Sequence, residues 1–167
     1  CHYCDYRDAP PDVCPQCKGT RFFRGGAGTK RIEEEVQAHF PGARVARMDR
    51  DTTVRKLAHA RILRQVRAGE VDILVGTQMV AKGLDFPNIT LAGIVLADSS
   101  LNIPDFRASE RTFQLVTQVA GRTGRGEVPG EVIIQTYRPQ HYSILAGQHQ
   151  DFVEFYEREI LFRETLG

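Results

Sequence analysis

The fold class of this chain is decided by Val71-Asp72-Ile73-Leu74-Val75-Gly76-Thr77. A short apolar run that ends in a glycine is typical of a strand covered on both faces in a parallel sheet. Leu91 to Ala97 is a second run of this kind. Along the chain, strand candidates of this kind alternate with segments of helical spacing. Such alternation predicts an α/β fold, a parallel sheet with helices on both faces.

Apolar residues at helical spacing predict helices on either side of these strands. The first helix is expected to begin at Thr29, which is placed to cap it, and the second at Thr52 or Thr53. A third is expected over 109–120. The apolar faces of the first two comprise Ile32, Val36 and Phe40, and Leu57, Ile62, Leu63 and Val66. Further strands are predicted at 21–24, 45–48 and 131–136.

The composition indicates a soluble globular protein, since 41% of the 167 residues are hydrophobic and 26% are charged. This length allows one α/β domain with a small appendage. The net charge is +1, so any contact with DNA must come from local patches. No apolar run approaches the roughly 20 residues of a membrane span, and a cytoplasmic location without membrane contact is expected.

The octet Gln118-Val119-Ala120-Gly121-Arg122-Thr123-Gly124-Arg125 is the strongest functional signal. Arg122 and Arg125 are spaced so that both can point at one anion. A guanidinium is always charged and donates in a fork, which suits a phosphoryl group in transfer. An arginine at a nucleotide γ-phosphate accelerates its transfer by roughly 10³ to 10⁵. The alternative is a solvent-exposed turn of arginine and glycine.

Gly76-Thr77 directly follows a predicted strand and offers backbone N–H groups and a hydroxyl to a phosphate. Gly83-Leu84-Asp85 places a carboxylate a few residues further on, where it could accept from a ribose hydroxyl. An ordinary turn between strand and helix is the alternative. Ligands of parallel sheets bind at the carboxyl ends of the strands, and we expect these turns and the octet there.

The turn at 25–30, Gly-Gly-Ala-Gly-Thr-Lys, is not a Walker A motif, because Thr29 precedes Lys30. It is a glycine-rich turn before a helix N-terminus, where backbone amides bind anions. We expect a DNA phosphate at Gly28 and Thr29, against the alternative of a plain capped turn. No other Walker A motif is present in the chain, so the group that grips the triphosphate and Mg²⁺ is expected elsewhere.

Two C-x-x-C pairs, Cys1/Cys4 and Cys14/Cys17, predict a tetrahedral zinc site in a module formed by residues 1–20. Pro15 helps to shape the second turn. A pair of disulfides is the alternative, and it is disfavoured in the cytoplasm.

These motifs, in this order, resemble those of one helicase family. The octet resembles motif VI of superfamily 2 helicases, and Gly76-Thr77 with its extension resembles motif V. With the cysteine pairs, Asp49-Arg-Asp-Thr-Thr53 and Asp105-Phe-Arg-Ala108, the chain resembles the second helicase lobe and zinc region of the PriA family, bacterial primosomal replication-restart helicases. The resemblance spans about residues 1–160.

The resemblance implies a RecA-like lobe at 21–140, flanked by the partial zinc region and by a C-terminal helical segment at 141–167. It implies an ATP- and Mg²⁺-dependent 3′→5′ DNA helicase that acts on branched forks and single strands. Primosome proteins and single-strand binding protein are the implied partners, and we expect a monomer. It assigns Arg122 and Arg125 to catalysis, and Gly83, Asp85, Gln118 and Gly121 to nucleotide. Gly28, Thr29, Gly76 and Thr77 would meet DNA.

Two departures from the family pattern limit what the chain does alone. The first lobe is absent, and both ends suggest a fragment, so ATP would be bound chiefly by another lobe. The family holds two zinc ions with eight cysteines, so Cys1, Cys4, Cys14 and Cys17 would hold one shared Zn²⁺ or none. The competing functions are a zinc-ribbon α/β module that binds DNA or protein without hydrolysis and another superfamily 2 translocase.

Overall fold

The computed structural model describes residues 12–20, 28–53, 57–81, 89–124 and 129–166. Helices and strands alternate through most of these residues, as the sequence predicts. In chain order they are α1 (Thr29–His39), β1 (Val45–Met48), α2 (Ala58–Arg67), β2 (Ile73–Gly76), α3 (Gln78–Ala81), β3 (Leu91–Ile94), α4 (Asp98–Leu101), α5 (Ala108–Ala120), β4 (Glu131–Ile134), α6 (Tyr142–His149) and α7 (Phe152–Leu166).

The strands of the described residues pair in parallel, which confirms the α/β class. Strand β1 pairs with β2, with Val45 opposite Ile73 and Met48 opposite Gly76. Strand β3 pairs with β4, with Leu91 opposite Glu131. The described residues therefore form two two-stranded sheets where the sequence predicts one, and the strand predicted at 21–24 lies outside them.

Three small clusters of buried side chains hold these elements together. Met48 is the buried centre of the first, beneath Ile62, Leu63 and Val66 of α2. The second joins β3 and α5 to α6, and its buried members are Ile94, Ala97, Val116 and Ile144. The third consists of Phe113, Ala146 and Phe155, and the rings of Phe113 and Phe155 stack with centroids 4.3 Å apart. The helices after β4 thus pack directly on α5.

Several predicted boundaries were wrong. Helix α2 begins at Ala58, because residues 49–53 form a hydrogen-bonded turn instead of the first helical turn. Leu57, predicted on the apolar face, has a positive φ of 75° and is 74% exposed. Phe40 ends α1 and is 56% exposed. The chain also leaves the sheet at Ile94 and forms α4, which the sequence did not indicate.

Within the described residues, no helix is both long and apolar enough to cross a membrane.

Candidate functional site

The turn at Gly76-Thr77 lies at the carboxyl end of β2, as predicted. A Cβ at Gly76 would lie 2.1 Å from Val80 Cγ2 and 2.6 Å from the Met48 carbonyl oxygen. Glycine is therefore required here by the close packing of β1 and α3, whether or not a phosphate binds. Thr77 is exposed and its carbonyl accepts a hydrogen bond from Val80 N at 3.0 Å, which begins α3.

The start of α1 forms differently from the prediction. Gly28 is the N-cap, and its carbonyl accepts from Arg31 N at 2.9 Å. Thr29 is the first helical residue, and its hydroxyl donates to Asp49 Oδ2 instead of capping the helix. Among the described residues, which do not include 21–27, a Cβ at Gly28 would meet nothing within 4 Å. The first amides of a helix have no intrahelical acceptors, so an anion can approach them here.

Asp49 follows β1 and is the centre of a charged cluster. Its carboxylate is 5% exposed and accepts from Thr29, from Thr52 N at 2.9 Å and from Arg47 Nη1 at 2.5 Å. Arg47 also pairs with Glu33 on α1, with Nε 2.7 Å from Glu33 Oε2, although this Nε is not aligned for a hydrogen bond.

Burial acts to raise the pKa of Asp49, but the hydrogen bonds from Thr29 and Thr52 and the Arg47 guanidinium outweigh it and lower the pKa to about 2. The carboxylate is therefore ionised and fully engaged at neutral pH. The sequence suggested either an N-cap role for the segment at 49–53 or a contact between Arg50 and DNA phosphates. The link between Asp49 and Thr29 was missed because the two residues are distant along the chain.

The octet lies at the end of α5 and in the turn that follows. Gln118 is half-buried within the helix, and Gly121 is the C-cap, with its N–H donating to the Thr117 carbonyl at 3.0 Å. Arg122 is half-buried, and its N–H donates to the Val119 carbonyl at 3.0 Å. The Gly124 φ of 71° is in the left-handed region, where glycine carries no steric cost.

The octet was predicted at the carboxyl ends of the strands, and its position in the structure shows that this prediction was wrong. Gly124 N donates to the Ile89 carbonyl at 3.3 Å, and Glu131 N donates to the Thr90 carbonyl at 2.8 Å. Ile89 and Thr90 directly precede β3. The end of the octet therefore lies at the amino edge of the β3–β4 sheet, because α5 runs back along the sheet before β4 begins. The Gly76-Thr77 turn follows the carboxyl end of its own strand.

Of the zinc-binding candidates, Cys14 and Cys17 lie within the described residues, in a tight turn at 14–19. Cys14 N donates to the Gly19 carbonyl at 2.9 Å, and Lys18 N donates to the Cys14 carbonyl at 3.0 Å. Backbone N–H groups of Cys17 and Gln16 donate to the Cys14 sulfur and lower the pKa of its thiol. This favours the thiolate, the form that binds zinc, so the turn fits one half of a tetrahedral site.

The described residues do not bring together three or more His, Cys, Asp or Glu side chains that could hold a metal. Cys1 and Cys4, the predicted other half of the zinc site, lie outside the described residues, as do Gly83, Asp85 and Arg125. Their assignments stay predictions.

These features define the class of protein to which the chain belongs. The helicase conserved C-terminal domain family matches residues 21–127. This range includes the turn that begins α1, the turn that follows β2 and the whole octet. This match covers more than half of the chain, and the chain belongs to that family.

Similar individual proteins show which helicases the chain resembles. Replication restart protein PriA of Bacillus subtilis is 55% identical over 165 residues, which are 98% of this chain and 20% of that protein. The protein of the same name from a Synechocystis species is 49% identical over 167 residues, 100% of this chain and 20% of that protein. The chain is thus similar, along its whole length, to the C-terminal helicase lobe of PriA proteins, and it spans about a fifth of their length.

Proposed function

We propose that this chain is the second motor lobe of an ATP-dependent 3′→5′ DNA helicase that restarts stalled replication forks and assembles the primosome. The observation that carries the proposal is the octet: Arg122 follows the C-cap of α5 in a glycine-bounded turn. This supports a role for Arg122 and Arg125 in stabilising the charge that develops on the transferred γ-phosphoryl group.

The other site residues divide between nucleotide and DNA. Gly83, Asp85, Gln118 and Gly121 contact the nucleotide, while Mg²⁺ and most of the triphosphate are bound by a different lobe. The Gly28-Thr29 and Gly76-Thr77 turns bind backbone phosphates of DNA. Because the Thr29 hydroxyl donates to Asp49, the first of these contacts uses the backbone amides of α1 and not that hydroxyl.

Residues 1–20 hold zinc through Cys1, Cys4, Cys14 and Cys17, and zinc would supply local order here. The partners are branched and single-stranded DNA, primosome proteins and single-strand binding protein. The protein acts as a cytoplasmic monomer.

Steady-state ATP hydrolysis, measured with and without forked DNA in the enzyme that carries this lobe beside a nucleotide-binding lobe, tests the proposal. Arg122→Ala and Arg125→Ala should lower kcat by roughly 10³-fold or more with little change in nucleotide or DNA binding. Arg125→Lys should not restore it, because one ammonium cannot reproduce the fork of donors. Thr77→Ala should weaken DNA stimulation and leave DNA-free hydrolysis closer to normal.

A matched control is Arg158→Ala, which removes an exposed arginine whose partner is Glu154 on the same helix. It should leave kcat unchanged. Near-normal kcat in Arg125→Ala would make the octet a structural turn and favour a binding module that does not hydrolyse ATP. Hydrolysis by residues 1–167 alone would contradict the proposed division between lobes.

A further inference from the structure

Asp49 joins the two turns that are proposed to bind DNA. On one side its carboxylate accepts the Thr29 hydroxyl at the start of α1. On the other side it directly follows Met48, the register partner of Gly76, and Gly76 directly precedes Thr77. The close approach of Gly76 to the Met48 carbonyl, where no Cβ would fit, fixes this second connection.

The cluster consists of several hydrogen bonds around a carboxylate that is almost fully buried. Asp49 Oδ1 accepts from Thr52 N at 2.9 Å, and the Thr53 hydroxyl donates to the Asp49 carbonyl at 2.6 Å. These bonds hold the turn at 49–53 in one conformation. A movement of α1 relative to β1 would break the bond from Thr29 and leave a buried carboxylate with one donor fewer, which is costly.

A carboxylate beneath a phosphate-binding turn would repel DNA unless its charge were balanced. Arg47 offsets part of this charge from β1, with Nη1 2.5 Å from Asp49 Oδ2. Glu33 on α1 shares the same guanidinium, so the helix is tied to the strand by a second ion pair. The cluster thus ties α1 to β1, and its two carboxylates and one guanidinium leave one negative charge in excess.

We propose that Asp49 is a positioning residue that sets the spacing between the N-terminus of α1 and the Gly76-Thr77 turn, so that both turns receive phosphates of one DNA strand together. This inference rests on the proposed DNA contacts of the two turns. Asp49 itself touches neither DNA nor nucleotide. Its effect on the enzyme is transmitted through Thr29 and through the end of β1.

The test measures the DNA concentration that gives half-maximal ATPase stimulation in the enzyme that carries this lobe. Asp49→Ala should raise this concentration about tenfold, the factor that corresponds to losing one hydrogen bond to a charged group. Turnover at saturating DNA should fall by much less. Asp49→Asn keeps the shape of the side chain and an acceptor for Thr29. Its half-maximal DNA concentration should lie between those of the unaltered enzyme and Asp49→Ala, and it serves as the variant that is more certain to fold. Thr29→Val combined with Asp49→Ala should be no worse than Asp49→Ala, because both remove the same bond.

Asp72→Ala is the matched control. Asp72 precedes β2 at the opposite end of the same strand pair, and it accepts from Arg44 Nη2 at 2.6 Å. Its loss should leave the half-saturating DNA concentration unchanged. Equal shifts of this concentration in Asp49→Ala and Asp72→Ala would overturn the positioning role. The same holds if neither Asp49 variant shifts it while Thr77→Ala raises it, and in both cases the proposed DNA contacts would stand. No shift in Thr77→Ala would overturn the proposed DNA contact, and the positioning role with it.

Discussion

Gly124 and Gly130 lie against each other and close the loop that contains Arg125. A Cβ at Gly124 would be 2.6 Å from Gly130 N, and a Cβ at Gly130 would be 2.2 Å from Gly124 N. Both clashes are with backbone atoms, which cannot rotate away as a side chain can. The close approach of the two glycines therefore holds the two ends of this loop together.

Gly130→Ala should separate the ends of this loop and misplace Arg125. We expect a loss of ATP turnover that approaches that of Arg125→Ala, because a displaced guanidinium no longer meets the transition state. The measurement is kcat with saturating forked DNA, accompanied by thermal unfolding. Gly42→Ala is the control, since a Cβ there would meet no atom of the described residues within 4 Å. Normal turnover in Gly130→Ala would mean that the loop tolerates the separation.

Gly76→Ala should destabilise the β1–β2 unit and weaken DNA stimulation. The new methyl would meet both Val80 Cγ2 and the Met48 carbonyl oxygen. Adding Val80→Ala removes the first clash and not the second, so it should restore stability only in part. Urea unfolding of the single and double variants checks this. Full recovery in the double variant would show that the Met48 carbonyl can move aside.

The ionised Asp49 should stabilise the fold in a defined pH window. Its pKa is lowered from 3.8 to about 2, so the unfolded chain takes up the proton more readily than the folded one. The contribution is present above pH 3.8 and is lost as the pH falls toward about 2. Denaturant unfolding over this range should show a shallower acid loss in Asp49→Asn than in the unaltered chain. If the unfolding free energies of Asp49→Asn and the unaltered chain fell in parallel with pH, Asp49 would not contribute in this way.

Glu159 on α7 should be the main polar anchor of the C-terminal helices. It is 7% exposed and accepts from the Tyr142 hydroxyl at 2.6 Å and from Arg163 Nε at 2.7 Å. Glu159→Ala leaves the Tyr142 hydroxyl without this acceptor and should cost about 1–3 kcal/mol of unfolding free energy. Glu157→Ala, an exposed change on the same helix, should cost little. Equal costs would show that the Tyr142 bond adds nothing to docking of α7.

Chelation of zinc should loosen residues 1–20 and leave both strand pairs folded, because each pair packs on its own apolar cluster. Structural zinc contributes on the order of 10 kcal/mol to the order of such a small module. Metal analysis and hydrogen exchange with and without chelator measure the two effects. Unfolding of the strand pairs on chelation would contradict the two-part architecture. An absence of zinc would mean that the two pairs of cysteines do not share one ion.

The elements that depend on local pattern were predicted well. Strand β1 was predicted at its observed residues, and α5 and β4 were predicted to within a few residues. These elements are predictable because apolar periodicity and the glycines that end each run are local features of the sequence. The beginning of α2 was missed, since Asp49 bonds with Thr52 and Thr53 compete with the helix for the same backbone groups.

The sequence by itself determined the α/β class, the octet with Arg122 and the membership in a helicase family, because residue types and their spacing carry this information directly. Only the tertiary structure decided which distant residues meet: Thr29 with Asp49, Gly124 with Gly130, and Glu159 with Tyr142. It also decided that the octet lies at the amino edge of β3 and β4. The physical reason is that these contacts follow from how strands pair and helices pack, which short-range periodicity does not specify.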